Sequence, residues 1–370
     1  MYSQQELDDA VASGAISAQA ADGLRAHVER QRSTAIPDEE QFRLITGFND
    51  IFVSIAAVLL LVAVAWIGQR IGSVTGTDLA GEGPSFIAPL AVAAVSWGLA
   101  LFFTAKRRMA LPSIVLLLAF VGSVFGAAAM LLGLTVGEAQ IDNNPQLGAI
   151  LGAIAAAVAA GAAWIHWRRF RVPITVAAGA AAAAGIIVGL VMAMTGIDGE
   201  TAKTVFLSVV LLLGIGMFLF AMWWDASDRA RLTRRSDVAF WLHLLAAPMI
   251  VHPVFTLLGL TDGDATLVEG AVVVLLYLAM GLTAVAIDRR ALLVSALAYV
   301  LWAMSDLFKR FGAVELNVAL TALIIGSALL LLSAFWHQTR AAVVRPLPES
   351  LRARLPILDR PGVPASQPAA

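Results

Sequence analysis

The chain has 370 residues, 59% of them hydrophobic and 14% charged, with a net charge of −1 at pH 7 and no cysteine. Soluble domains are about one quarter charged, so a water-solvated fold is excluded for most of the chain and its solvent is lipid. The missing thiols exclude disulfides, thiolate nucleophiles, iron–sulfur clusters and Cys-ligated zinc.

The first 36 residues read as a small helical hairpin. Ser3 with Glu6 forms a capping box, Leu7 and Val11 supply an apolar stripe, and the chain turns at Gly14. Ser17 then caps a second helix whose buried face is Ala21, Leu24 and Val28. A hairpin this small is marginal alone, so it is either a tether or a docking element for a cytoplasmic protein, for its own membrane domain or for a second copy. Pro37 ends it, and Asp38–Phe48 is predicted as an interfacial helix. The first apolar run begins near residue 51, after this polar leader, and is read as a retained anchor rather than a cleaved signal.

Ten apolar stretches follow, at 51–68, 86–104, 111–134, 147–165, 172–194, 204–223, 238–260, 266–286, 291–308 and 317–336. Each is close to the ~20 residues that cross a hydrocarbon core. They are continuous rather than alternating, so they are helices and not barrel strands. The expected fold is all-α, a polytopic transmembrane helix bundle over residues 37–341 between the hairpin and a flexible Arg/Pro-containing tail, 342–370. Arg345 to Pro348 and the run from Pro361 to Ala370 read as unstructured.

The loops sort by charge. Lys106 to Arg108, Arg168, Arg169 and Arg171, Arg229 to Arg235, and Arg289 with Arg290 place twelve basic residues in four loops. The five intervening loops hold only Arg70, Lys203, Lys309 and Arg310, with acids such as Asp78, Glu138, Asp142, Asp198 and Asp262. Basic loops stay in the cytoplasm, which puts both termini inside. Their centres lie about 60 residues apart, as a tandem two-helix repeat or any string of short-looped spans would give. Nucleic-acid binding is unsupported, because the basic residues are spread along a membrane surface.

Spans four and five are rich in alanine and carry Gly148 with Gly152 and Gly185 with Gly189, pairs that suit close helix packing at the protein centre or in a homo-oligomer. Span seven holds His243 and His252 with Pro248 and Pro253, and the prolines predict a kink or break. The histidines are on opposite faces, about 13.5 Å apart along the axis. One metal cannot take both, and hydrogen-bonded structural roles are expected. No cofactor or metal site is expected.

At the outer end, Glu269, Asp306 with Tyr299 and Trp302, His252 and Asn317 form a candidate solute or ion path. The alternative is that Asp306 pairs with Lys309 or Arg310 and Glu269 reaches the interface. No phosphate loop, His-Glu-x-x-His pair or nucleophile elbow occurs.

The leader Leu7-Asp-Asp-Ala-Val-Ala-Ser-Gly-Ala-Ile-Ser17 and the closing Leu329-Leu-Leu-Leu-Leu-Ser-Ala-Phe-Trp-His-Gln-Thr-Arg340 resemble the bacterial membrane proteins grouped as domain of unknown function 2157. That resemblance implies a bacterial inner-membrane location and no mechanism. Three functions stay open: a transporter or permease for a small solute or ion, a scaffold or sensor recruiting a partner through residues 1–36, and an enzyme on lipid-linked substrates. The third has the weakest support, so the chain is read as more a non-enzyme than an enzyme.

Overall fold

A computed structural model describes residues 10–24, 48–79, 83–196, 199–229, 231, 233–259, 267–290, 292–293, 297, 301 and 317–358. The chain divides into two units, residues 1–43 with 359–370, and Leu44–Leu358. In the first, residues 10–12 and 18–24 are helical. Gly14 turns the chain at φ 74° between them, and Ser17 Oγ accepts the Ala20 N–H at 3.1 Å, as an N-cap does. The Ser3–Glu6 capping box, Pro37 and the helix expected from Asp38 lie outside the described residues.

The second unit is helical: α1 Phe48–Thr75, α2 Ile87–Phe103, α3 Ala110–Val136, α4 Pro145–Phe170, α5 Ile174–Thr195, α6 Gly199–Ser227, α7 Arg234–Leu257, α8 Leu267–Ile287, α9 Asn317–Ala334 and α10 Trp336–Val344. Six of these, α1 and α3 to α7, are long and apolar enough to cross a membrane. The 17-residue α2 and the apolar stretches Ala271–Ile287 and Leu323–Ala334 are shorter. Most of the ninth expected span, 291–308, lies outside the described residues.

The helix turns divide between two ends. Phe103 and Phe170 share one apolar cluster, Trp167 and Trp224 another, and Arg231 bonds Asp288 at 2.8 Å, so the basic turns meet at one end. At the other, Leu79 packs toward Gly133, Ile141 toward Gly148, and Gln146 toward Gly196. Backbone conformation follows the same division. Among the described residues of the bundle, left-handed turns at the basic end fall on Arg108, Arg171, Arg231 and Asp288, and those at the other on Gly76, Gly137, Gly196, Gly199 and Gly259. A side chain in this region costs about 1 to 2 kcal/mol. At the three arginines the cost is partly offset by a cation beside the negative end of a helix dipole. The basic series recurs at intervals of roughly 60 residues, so the sequence periodicity has a backbone counterpart.

Small residues set the closest helix approaches. A Cβ on Gly189 would stand 2.8 Å from Ala149 O and 2.9 Å from Ala153 Cβ, and one on Gly185 would meet Ala156 Cβ at 3.3 Å. The α5 pair therefore forms a seam with α4, as expected, whereas Gly152 faces open space.

Two expectations change. Helix α7 is continuous through Pro248 and Pro253, so of the expected kink or break the break does not occur. Pro253 has no N–H for Met249 O, but the backbone of α6 covers that stretch: a Cβ on Gly214 would lie 2.8 Å from the Met249 oxygen. The expected flexible tail is also structured as far as Leu358. Trp336 and Val344 are buried in α10, Glu349–Arg352 forms a helical turn, and Leu355 is buried. Residues beyond Leu358 lie outside the described chain.

Replacing Gly189 by leucine should push α4 from α5 and destabilise the fold by on the order of 2 kcal/mol or more. Thermal unfolding in detergent should show a clear drop for Gly189→Leu and almost none for Gly152→Ala.

Candidate functional site

The last turn of α6, the first turns of α7 and the end of α8 meet at the basic end of the bundle. Between α6 and α7, Asp228 Oδ2 accepts from Thr233 N at 2.8 Å and from Thr233 Oγ1 at 2.7 Å. Thr233 Oγ1 in turn accepts the Arg235 N–H at 3.3 Å, as the N-cap of α7. That anchored start fixes the register of α7 and puts Ser236 and His243, two turns apart, on the face toward Asp225. Helix α8 ends with Asp288 at φ 57° and the Arg289 N–H bonded back to Ala284 O at 2.8 Å, the reversed turn of a Schellman motif. The reversal sends two adjacent side chains to different partners.

Arg289 goes to Asp225. Its Nη2 donates to Asp225 Oδ1 and its Nε to Oδ2 at 3.2 Å, a two-pronged pairing. The same Nη2 reaches Ser236 O at 3.1 Å and Ser236 Oγ at 3.3 Å. His243 Nε2 donates to Asp225 Oδ2 at 2.9 Å. All three charged or ionisable residues are buried, at 2% exposure or less. Because a carboxylate only accepts, Nε2 carries the proton. In the neutral ring Nδ1 then presents a lone pair that is buried and has no partner among the described residues. The ring of Phe218 lies 5.3 Å from the imidazole, edge-on to it.

Asp288 organises a second shell. Its Oδ2 accepts from Arg231 Nη1 at 2.8 Å and its Oδ1 from Trp336 Nε1 at 2.7 Å, while Arg340 Nε stands 3.9 Å away. Arg231 Nη2 also donates to the carbonyls of Ile287 and Asp288. Burial alone would raise the Asp288 pKa; Arg231, Arg340, the Trp336 bond and Arg289 together outweigh it and hold the carboxyl below its ordinary value. Across both shells the formal charge is two carboxylates against three guanidinium groups.

A further buried imidazole, His166 of α4, bonds Thr175 Oγ1 through Nδ1 at 3.3 Å and is ringed by Trp97, Phe120 and Phe170. Its Nε2, like His243 Nδ1, is buried with no partner among the described residues, and its recorded neighbours there are aromatic rings rather than a carboxylate, as suits a packing role.

Most of the outer path expected from the sequence lies outside the described residues. Tyr299 and Asp306 lie outside them; Glu269 and Asn317 are placed by backbone in the first turns of α8 and α9. His252 is on the exposed side of α7, opposite the buried His243, as the helical spacing predicts. The residues that do converge, Asp225, His243, Ser236, Arg289 and Asp288, were not singled out as a group by sequence reasoning. The available signal was an acidic residue at a span end inside an arginine-rich loop, at Asp225 and at Asp288. Among the described residues no group of three or more His, Asp or Glu side chains is placed to hold a metal. The arrangement suits proton exchange at His243 and charge-state sensing through Asp225.

Asp225→Ala should leave Arg289 buried without its counter-ion and destabilise by about 3 to 5 kcal/mol, whereas Asp225→Ala with Arg289→Met should recover much of that loss. Unfolding of the four members of this double-mutant cycle measures it. For Asp288, a folded pKa below the unfolded value means its contribution is complete above about pH 4 and is lost as pH falls through the depressed folded pKa. The stability gap between the native chain and Asp288→Asn should therefore be constant from pH 8 to about 5 and shrink below about 4. No family model, curated protein or solved structure matches this chain, so the functional reading rests on its own residues.

Proposed function

We propose that this protein is a ten-crossing inner-membrane carrier of a small solute or ion, with both termini on the cytoplasmic side, and that Asp225, His243 and Arg289 couple its cycle to protons. The supporting observation is a buried acid, base and guanidinium linking the ends of three helices in a chain whose solvent is lipid. Ionisable groups inside membrane helices are costly and are functional candidates for that reason. Stability alone does not account for them, because well-packed apolar groups of similar volume often hold helices as well as a buried ion pair does.

The chemistry supports coupling. A proton taken up on His243 Nδ1 adds a positive charge beside Arg289, with Arg231 nearby and Asp225 as the shared counter-ion. The trio then carries one excess positive charge, which favours separation of α7 from the end of α8. Loss of the proton restores the closed pairing. This is a two-state element biased by an ion, as alternating access requires. Orientation is supported by the basic turns at Arg108, Arg171, Arg231 and Asp288 meeting at one end.

Purified protein in liposomes containing a pH-sensitive dye tests the reading. An imposed membrane potential should drive proton flux that falls at least about tenfold in His243→Gln, with thermal unfolding close to native. Flux equal to native in both His243→Gln and Asp225→Asn would remove it.

A second reading, recruitment of a cytoplasmic protein by residues 1–36, draws support from the turn at Gly14 and the Ser17-capped helix in a unit separate from the bundle. Deleting residues 1–36 should leave the flux unchanged if the carrier reading holds. If recruitment is the function, the deletion abolishes the cellular phenotype while membrane insertion stays intact.

A further inference from the structure

We infer that residues 345–358 form a strap that closes the basic-end approach to the Asp225, His243 and Arg289 cluster and opens as a unit. The inference builds on the reading of that cluster as a working site.

The strap is held by its backbone. Arg229 Nε donates to Leu355 O at 2.9 Å and Arg229 Nη2 to Arg352 O at 3.1 Å. From α10, Arg340 Nη2 donates to Pro356 O at 2.8 Å and Arg340 Nη1 to Ile357 O at 3.4 Å. Two guanidinium groups, one on the turn between α6 and α7 and one on α10, thus hold four carbonyls of residues 352–357. These bonds read the path of the chain rather than its side chains. Arg340 also lies 3.9 Å from Asp288, so the clamp touches the shell next to Arg289.

Position makes the strap a cover. Leu355 is buried in one apolar cluster with Ala284, Val285, Ile287 and Trp336, against which Leu347, Leu358 and Phe218 also pack. That cluster contains the residues immediately before Asp288 and Arg289 and the aromatic ring beside His243. The strap therefore sits on the helix end that delivers both charged side chains.

Its footprint is small enough to lift. Arg345, Pro346, Pro348 and Glu349 to Arg354 are exposed, and the buried contact rests on Leu355 and Pro356. Segments with few buried apolar contacts open at a fraction of the global unfolding free energy. Pro346, Pro348 and Pro356 fix their own φ angles, which restrains the strap from collapsing into other conformations once released. Leaving requires exchanging four guanidinium–carbonyl bonds for water and exposing Leu355 and Pro356 with the half-buried Leu347, Ile357 and Leu358, with no helix of the bundle unwound.

Because the chain lacks cysteine, a single introduced thiol reports access. Ala284→Cys, at a position 0% exposed beneath the strap, is labelled with a charged methanethiosulfonate in detergent. It is compared in the full chain and with Arg229→Gln or Leu355→Ser added. Ala159→Cys, 2% exposed between α3, α4 and α5, serves as a control for general loosening. The strap predicts labelling at position 284 faster by about tenfold in both added variants and unchanged at 159. Equal rates at 284 with and without the strap changes, or a parallel rise at 159, would overturn it. A selective rise at 284 with no proton flux in liposomes would instead leave the strap standing and count against the carrier.

Discussion

An aspartate placed inside the last turn of a membrane helix has to be neutralised where it stands, and the basic end of this protein is arranged around that requirement. Asp225 receives Arg289 on both oxygens and His243 on one. Arg289 can reach it because the left-handed Asp288 reverses the end of α8. Once Asp288 is used for that turn, its own carboxylate is buried and in turn needs Arg231, Trp336 and Arg340. Each buried charge thus brings in the next element: α7 through His243, α10 through Trp336, and the final segment through Arg340. The order of dependence starts from one carboxylate and ends at residue 358.

The rest of the bundle solves a different problem. Lipid gives apolar side chains no reason to leave it, so helix contact must come from close approach. Gly185 and Gly189 against Ala149, Ala153 and Ala156, and Gly214 against Met249, provide it. The second contact also explains how α7 tolerates Pro253, since the carbonyl that lost its donor is covered by a neighbouring backbone. Polar strain and tight packing thus occupy different levels of α6 and α7: the glycine seam lies along their length and the charges at their basic end.

Hydropathy made the helices legible because a membrane imposes one length on every crossing, and the observed bounds enclose or overlap most of the expected spans. The same signal hid the site. The sixth apolar stretch ends at residue 223, whereas α6 continues to Ser227 and carries Asp225 inside it. The eighth ends at 286, and α8 stops at Ile287, directly before Asp288 and Arg289. Polar residues at a span end lower the hydropathy of any window around them, so Asp225, Asp288 and Arg289 fall just outside the apolar stretches. Their partners are also distant in sequence: Asp225 and Arg289 are 64 residues apart. Treating arginines as a topological count concealed that Arg231, Arg289 and Arg340 each have a specific carboxylate or carbonyl partner. The histidine spacing, in contrast, was readable, since helical geometry alone separates His243 from His252.

The choice of histidine at position 243 bears on whether the cluster is a strut or a switch. A strut is complete with Asp225 and Arg289, which already neutralise each other through a two-pronged pairing. Adding an imidazole whose second nitrogen is left without a partner gives up a hydrogen bond in a place where water is scarce. His166 Nε2 is likewise buried without a partner among the described residues, so the orphaned nitrogen alone does not mark a switch; what sets His243 apart is that its other nitrogen bonds the carboxylate of a buried ion pair, where one proton changes the charge balance. Phenylalanine would fill the space beside Phe218 without the penalty, and arginine would fix the charge permanently. Histidine alone among these leaves the charge of the trio adjustable, and the backbone-held strap over the same helix end supplies a way for the surroundings to change with it.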